Sequence, residues 1–300
     1  MIEGACPRQR FLILHNPAAG RNGIGRARDV AEELTKRGAQ VTFVELANGT
    51  MPDQATVAVH DAVVISGGDG TIRAIAERLT RPDVPIGVIP NGTGNVLAEE
   101  LALPTKASEI ADLLMHGPAH PIKGALVNGL LFLLMFGAGF DGDVTAELSR
   151  AWVPILGKLA YAGPILRALL RRPHLFDITI DGQASRTSWL LISNAAHYGG
   201  RFRLTDRTSM RDEALVAIIS RATTRRQRLV ELLGLLAGRL SAAPTIEIRT
   251  VTRAEVLGPH NAGQCDGEPL PPGSYDVRRR EDETLIIAPP ANPPCRPRRD

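Results

Sequence analysis

What most constrains this chain is an alternation: in its first hundred residues, short apolar runs take turns with segments of helical spacing. The runs are RFLILHN (10–16), AQVTFVEL (39–46), DAVVISGG (61–68) and VPIGVIP (84–90), and between them lie RARDVAEELTKRG, PDQATVAVH and TIRAIAERLT. A fourth helix is expected to begin near Asn95. Apolar runs of this length with helices between them specify a parallel sheet covered on both faces. In such sheets a ligand sits beyond the carboxyl ends of the strands. Three loops at those ends are poor in side chain: NPAAGRNG (16–23), SGGDGT (66–71) and PNGTGN (90–95). Glycine lets backbone N–H groups approach a ligand with no Cβ in the way, and such groups ahead of a helix N-terminus bind phosphate. Taken singly, NPAAG reads as an ordinary turn, and SGGDGT equally well as a tight turn capped by Thr71. Three of them on one sheet edge point to a large anion. Neither G-x-x-x-x-G-K-[ST] nor a G-x-G-x-x-G opening the first helix is present, so two familiar nucleotide loops are excluded.

From about Lys123 the pattern changes to strands joined by turns, among them Asp181-Gly182, which indicates a mainly antiparallel second unit. The expected division is an α/β unit over 1–123 and an antiparallel unit over 124–288, with the segment 275–300 able to return to the first. The most apolar stretch, ALVNGLLFLLMFGAGF, is short for a membrane span and is interrupted by Asn128; it reads as buried strand. Helical insertions are expected over 148–172 and 224–240, and the tail PPANPPCRPRRD reads as unpacked. The second insertion sets Leu229, Leu232, Leu233, Leu236 and Leu240 on one stripe with Arg225, Arg226, Arg228 and Arg239 around it. The first carries Lys158, Arg167, Arg171 and Arg172. Such helices either pack on the second unit or lie on anionic lipid.

Composition narrows the function. A chain of 300 residues with 44% hydrophobic and 22% charged residues is an ordinary globular protein with room for two domains. Aromatics at 4% and a net charge of only +3 argue against nucleic acid as a partner. The three cysteines (Cys6, Cys265, Cys295) form neither a disulfide framework nor a metal-ligand spacing, and the opening MIEGACPRQRFLILHN lacks a secretory leader's apolar core. A cytoplasmic location is expected, with any membrane met from its surface. Cys265, beside a candidate site loop, is a position where oxidation could be sensed.

In this order, NPAAG, GGDGT and PNGTGN resemble the diacylglycerol kinase and sphingosine kinase catalytic domain, a family of bacterial and eukaryotic lipid kinases. The resemblance continues through GAGFDGDV (137–144), GKLAYAGPILRALL, HYGGRFRL and QCDGEPL (264–270), and so covers nearly the whole chain. GGDGT alone is shared with NAD kinases and is close to a phosphofructokinase loop; the later motifs are those of the lipid kinases. The resemblance implies a nucleotide-binding α/β domain with a parallel sheet, a mainly antiparallel β-sandwich domain, and an active site in the cleft between them.

It further implies ATP and Mg²⁺ as cofactors, and transfer of the γ-phosphate to a hydroxyl of diacylglycerol or a related lipid. Asn16, Pro17, Gly20, Gly67, Gly68, Gly70, Thr71, Gly92, Thr93 and Asn95 would surround the nucleotide. Asp69 would help hold Mg²⁺, directly or through water. Glu268 matches the family's catalytic glutamate, which accepts the hydroxyl proton; from the residues alone DGEP is a hairpin turn with a solvated acid. Asp141 matches an acid beside the acceptor or its magnesium network, and reads equally as a loop cap. Asp212, with the backbone carbonyls of Ser209 and Ala214, would form a structural Mg²⁺ site. The chain departs from the family pattern there, with Arg211 and Glu213 beside Asp212. Val96 and Leu97 also stand where an acid is frequent, and Arg73 replaces a frequent asparagine. The partners expected are a lipid at the membrane surface and either one copy of the chain or a homodimer. The alternatives are NAD-kinase-like transfer to a soluble acceptor, or a catalytically weak regulatory protein that binds nucleotide or lipid.

Overall fold

The computed structural model describes residues 6–19, 23–46, 51–79, 83–148, 157–198, 202–204, 209–211 and 214–290. The α/β half begins with β1 (Arg10–His15), α1 (Gly23–Lys36), β2 (Gln40–Glu45), α2 (Gln54–Ala58) and β3 (Ala62–Gly67). It continues with α3 (Asp69–Arg78), β4 (Ile86–Pro90), α4 (Val96–Glu100) and α5 (Ala107–His116). Strands β2-β1-β3-β4 lie side by side and parallel. Every residue of β3 and β4 is buried, the continuous apolar run that a sheet covered on both faces requires. One face is covered by the stripe Ala27, Val30 and Leu34 of α1, with α5 beside it, and the other by Ile72, Ile75 and Ala76 of α3. This order brings all three glycine-rich loops to one edge.

The second half adds β5 (Ala119–Val127), β6 (Leu130–Phe132), β7 (Met135–Gly139), α6 (Phe140–Ala146) and α7 (Ala162–Leu170), which a 3-10 turn (Gly157–Tyr161) precedes. Next come β8 (Phe176–Ile180), β9 (Gln183–Thr187), β10 (Trp189–Ser193), β11 (His197–Tyr198) and β12 (Phe202–Arg203). The chain then forms β13 (Leu215–Ser220), α8 (Arg225–Leu236), β14 (Ile246–Val251), β15 (Arg253–Leu257), β16 (Gly263–Cys265), β17 (Glu268–Leu270) and β18 (Tyr275–Ile287). Six of these strands make an antiparallel sheet in the order β14-β13-β10-β7-β16-β17. The other layer of the sandwich is an extension of the parallel sheet. The 13-residue β18 pairs parallel with β4 at its far end and antiparallel with β15 at its start, so one ten-stranded sheet runs through both halves. Between the layers lie Phe136, Leu190 and Ile192 from one sheet and Ile178, Val256 and Val277 from the other.

Two expectations need correction. The apolar stretch that reads as one strand is three, folded by an Asn128-Gly129 turn and broken again after Phe132. The second break has a cause: the N–H groups of Leu133 and Leu134, which a ladder would use, donate instead to the Asp266 carboxylate. The leucine stripe of α8 is also divided. Leu229, Leu233 and Leu236 are exposed, Leu232 is half-buried, and Leu240 is buried beyond the helix end. Arg228 is not on the rim: it is buried against Glu231, over the rings of Phe140 and Trp189. Among the described residues no helix is long and apolar enough to cross a membrane. Residues 149–156 of the first insertion and the tail 291–300 lie outside the described residues.

Candidate active site

The side expected to face a nucleotide is made of main chain. A Cβ placed on Gly92 would come within 2.6 Å of the Gly68 Cα, so the second and third glycine loops touch backbone to backbone. Asp69 ties them further: its Oδ2 accepts from the Val96 N–H at 3.0 Å and its Oδ1 from the Leu97 N–H at 3.0 Å. The aspartate of one loop therefore caps the helix that follows the other. Burial raises the Asp69 pKa, against the two N–H groups that favour the charged form. Helix α3 itself has Gly68 as N-cap with no capping side chain, and its Thr71 and Ile72 N–H groups donate to the Gly68 carbonyl. Asn95 adopts a left-handed φ of 47°, and its Oδ1 accepts from the Gly92 N–H at 2.7 Å. The first loop joins through Asn16, whose Nδ2 donates to Thr71 Oγ1 at 2.8 Å while its Oδ1 accepts from Ala18 N–H. Beneath them His15 and Asn91 share the buried Ser66 hydroxyl.

The opposite side is made of buried charge. Asp266 and Gly267, with φ of 48° and 83°, form a two-residue hairpin that pairs Cys265 with Glu268. The Asp266 carboxylate accepts three N–H groups, from Leu133 at 2.8 Å, Leu134 at 2.9 Å and Met135 at 2.9 Å, which pins the hairpin to the break before β7. Burial pushes its pKa up to about 6, against those three bonds and the nearby Arg73 charge. Glu268 leaves this hairpin toward the glycine loop: its Oε1 is 3.2 Å from where a Cβ on Gly70 would stand. Its Oε2 accepts from Arg73 Nη2 at 3.2 Å. Cys265 is fully buried with its thiol pKa raised by burial, so it is no oxidation sensor in the folded chain.

Asp141, in the first turn of α6, is buried, and its Oδ1 accepts from the Tyr198 hydroxyl at 2.5 Å. Its Oδ2 has no partner of good geometry among the described residues, although Trp189 and Gln264 lie close enough to favour its charge. Burial raises its pKa, with Tyr198 the chief opposing influence. The Tyr198 hydroxyl is raised in turn by burial, by Asp141 and by Tyr161. Tyr161 is raised by burial and by Asp69. Tyr198 thus bonds Asp141 directly, and Tyr161 lies near enough to Asp69 to feel its charge; the sequence reading singled out neither tyrosine. Glu100 was missed as well: it accepts from the Ala196 and His197 N–H groups and bonds the His197 ring at 2.7 Å, joining α4 to β11.

The structure therefore brings Asn16, Gly67, Gly68, Asp69, Gly70, Thr71, Gly92 and Asn95 together, with Glu268 against Gly70. Pro17 and Thr93 sit on the same loops with their side chains exposed. Gly20 and Asp212 lie outside the described residues. Of the second metal set, Ser209 Oγ accepts from Arg211 N–H at 3.3 Å, and the Arg211 guanidinium donates to the Pro289 carbonyl. No group of three His, Cys, Asp or Glu suited to a metal exists among the described residues. A magnesium ion carried on a triphosphate needs few protein carboxylates. Asp69 fits that demand, because each of its oxygens accepts one N–H and keeps a lone pair. An open groove of about 640 Å³ along Arg28, Lys36 and Phe43 lies on α1 and β2, away from the loops.

Residues 10–127 match the family model of the diacylglycerol kinase catalytic domain, and residues 135–284 match that of the YegS C-terminal NAD kinase beta sandwich-like domain. The chain is 30% identical to a diacylglycerol kinase of Mycobacterium tuberculosis over 49% of its own length and 50% of that protein's. It is 29% identical to a Pseudomonas aeruginosa protein named probable lipid kinase YegS-like, over 70% of this chain and 73% of the relative. The first curated relatives it matches are spanned over only 38% to 50% of their length. Among solved structures, a diacylglycerol kinase from Bacillus anthracis superposes with a TM-score of 0.71 at 20% identity, covering 94% of this chain and 98% of that one. At that identity the likeness speaks for the fold.

Proposed function

Since the chain belongs to the diacylglycerol kinase catalytic-domain family, we propose that it transfers the γ-phosphate of ATP to a hydroxyl of diacylglycerol or a related lipid. One observation carries this reading: a carboxylate borne by the sandwich, Glu268, lies over Gly70 in the glycine loop of the parallel sheet. Phosphoryl transfer asks the protein for alignment, neutralisation of charge and a base for the attacking hydroxyl. The loops supply the first, with the N-terminus of α3 and the close approach of Gly68 and Gly92 receiving the phosphates. Magnesium, when bound, neutralises charge on the β- and γ-phosphates, and Asp69 is the residue that would hold it. Glu268 accepts the hydroxyl proton as the acceptor oxygen forms its bond to the γ-phosphorus and the bond to the β-phosphate oxygen breaks, leaving ADP.

The lipid acceptor is supported by the two insertions. Helices α7 and α8 touch, and together they expose Leu166, Leu170, Leu229, Leu233 and Leu236, each at least 47% accessible. Exposed Arg172, Arg225, Arg226 and Arg239 belong to the same two insertions. An apolar face with a basic margin suits an anionic bilayer, each arginine adding on the order of 1 kcal/mol near the surface. We read the chain as a peripheral protein that takes its acceptor from that surface.

The test is transfer of label from γ-labelled ATP with Mg²⁺ to diacylglycerol and other hydroxylated lipids, presented in neutral or anionic phospholipid vesicles, with NAD as the soluble control. The expected result is label in extractable lipid, faster on anionic vesicles. Label in NAD would transfer the chain to a soluble acceptor, and ATP binding without transfer to any acceptor would favour a regulatory role.

A further inference from the structure

Arg73 lies one helical turn beyond Asp69, where the sequence gives no reason to expect a buried charge. The residue is nevertheless only 7% exposed. Taking its guanidinium out of water costs several kcal/mol unless the donors are met. They are met sparingly: Oε2 of Glu268 at 3.2 Å, the Leu131 carbonyl at 3.4 Å and Glu77 at 3.9 Å, with Nε left without a partner among the described residues. A buried ion pair of this quality adds little stability over an apolar replacement. What it does is local. Glu268 is half exposed, with 45% of its side chain accessible, and three rotatable bonds would let it wander. Arg73 holds one oxygen, and the other is left beside Gly70. The Glu268 backbone is fixed separately by the Asp266 hairpin, so main chain and side chain have independent anchors.

We propose that Arg73 is a positioning residue for the transfer step: reaching across from α3, it tethers Oε2 of Glu268 and so presents Oε1 to the acceptor hydroxyl over the glycine loop. This rests on the reading that Glu268 is the proton acceptor. Arg73 sits behind Glu268, itself nearly excluded from solvent, and acts on the acceptor only through that carboxylate.

The experiment compares steady-state kinetics of Arg73→Met and Arg73→Lys, each in the native and in the Glu268→Gln background. Misplacing a reacting group by about 1 Å costs on the order of 100-fold. Arg73→Met is therefore expected to lower kcat about 10- to 100-fold with the KM for ATP within about twofold, and Arg73→Lys, which keeps one charged donor, to restore much of the loss. In the Glu268→Gln background neither change should lower the residual rate more than about twofold, because there is no base left to position. A kcat for Arg73→Met near the native value, or an equal loss in both backgrounds, would overturn the proposal while leaving the kinase reading intact. A fully active Glu268→Gln would overturn the reading and the proposal with it. Should Arg73→Met fail to fold, Arg73→Gln takes its place in the same comparison.

Discussion

On the parallel-sheet side the site is made of main chain, and on the sandwich side of charge. Gly68 and Gly92 meet without side chains between them, and the one carboxylate there, Asp69, spends its bonds joining two loops. Across from them Asp266 and Asp141 accept hydrogen bonds from distant parts of the chain, and the buried Arg73 reaches over from α3 to Glu268. The first wall depends on how closely its backbones approach, and the second on protonation and pairing as well. Substitutions should separate them accordingly.

The largest effect is expected at Gly92. Its Cβ would stand 2.6 Å from the Gly68 Cα and 2.9 Å from Asn95 Oδ1, and since the nearer obstacle is backbone, a loop must move. Overpacking of this kind costs about 1–3 kcal/mol, which taken from nucleotide binding is about ten- to a hundredfold. Calorimetric titration of Gly92→Ala with a non-hydrolysable ATP analogue should read that loss. Gly25→Ala on α1, with nothing within 4 Å of its Cβ, is the control and should bind as the native chain does. Equal affinities for all three would mean that the contact between the loops does not form the nucleotide face.

A smaller and pH-dependent effect is expected at Asp266. Its pKa of about 6 in the fold lies above the ordinary range of an aspartate, so the folded chain holds the proton more tightly than the unfolded one. The stability this contributes is complete below the ordinary pKa of about 3.9 and is lost as pH rises through 6. Asp266→Asn does not titrate. The native chain's stability relative to that variant should therefore shrink between about pH 4 and about pH 7, by at most about 3 kcal/mol. Urea midpoints of both proteins across that range are the readout, and a constant difference would show that Asp266 stays charged in the fold.

The same contrast explains what could be read from the sequence. The glycine loops are legible because the signal is the residue itself: SGGDGT and PNGTGN lie directly between strand and helix, and sheet topology brings them together. The sandwich wall is not legible, since its pairings join residues far apart in sequence, Arg73 to Glu268, Asp266 to Leu133, Tyr198 to Asp141 and Glu100 to His197. No local pattern marks an arginine on a helix as buried, and Arg73 and Arg228 both lie inside. Helix α8 misleads for that reason. Its leucine spacing suggests one apolar face, yet the buried face is built around Arg228, Glu231 and Leu235, which leaves Leu229, Val230 and Leu233 outward. The break before β7 was equally hidden, because it depends on a carboxylate more than 130 residues away.

The central claim is that Glu268, set over Gly70, takes the proton of the acceptor hydroxyl. Glu268→Gln tests it most directly, because the amide keeps the shape and removes the base. Transfer of labelled phosphate to lipid should fall about 10²- to 10⁴-fold, while affinity for a non-hydrolysable ATP analogue remains within about twofold. Retention of more than about a tenth of the native rate would contradict the account, since loss of a general base costs far more than that.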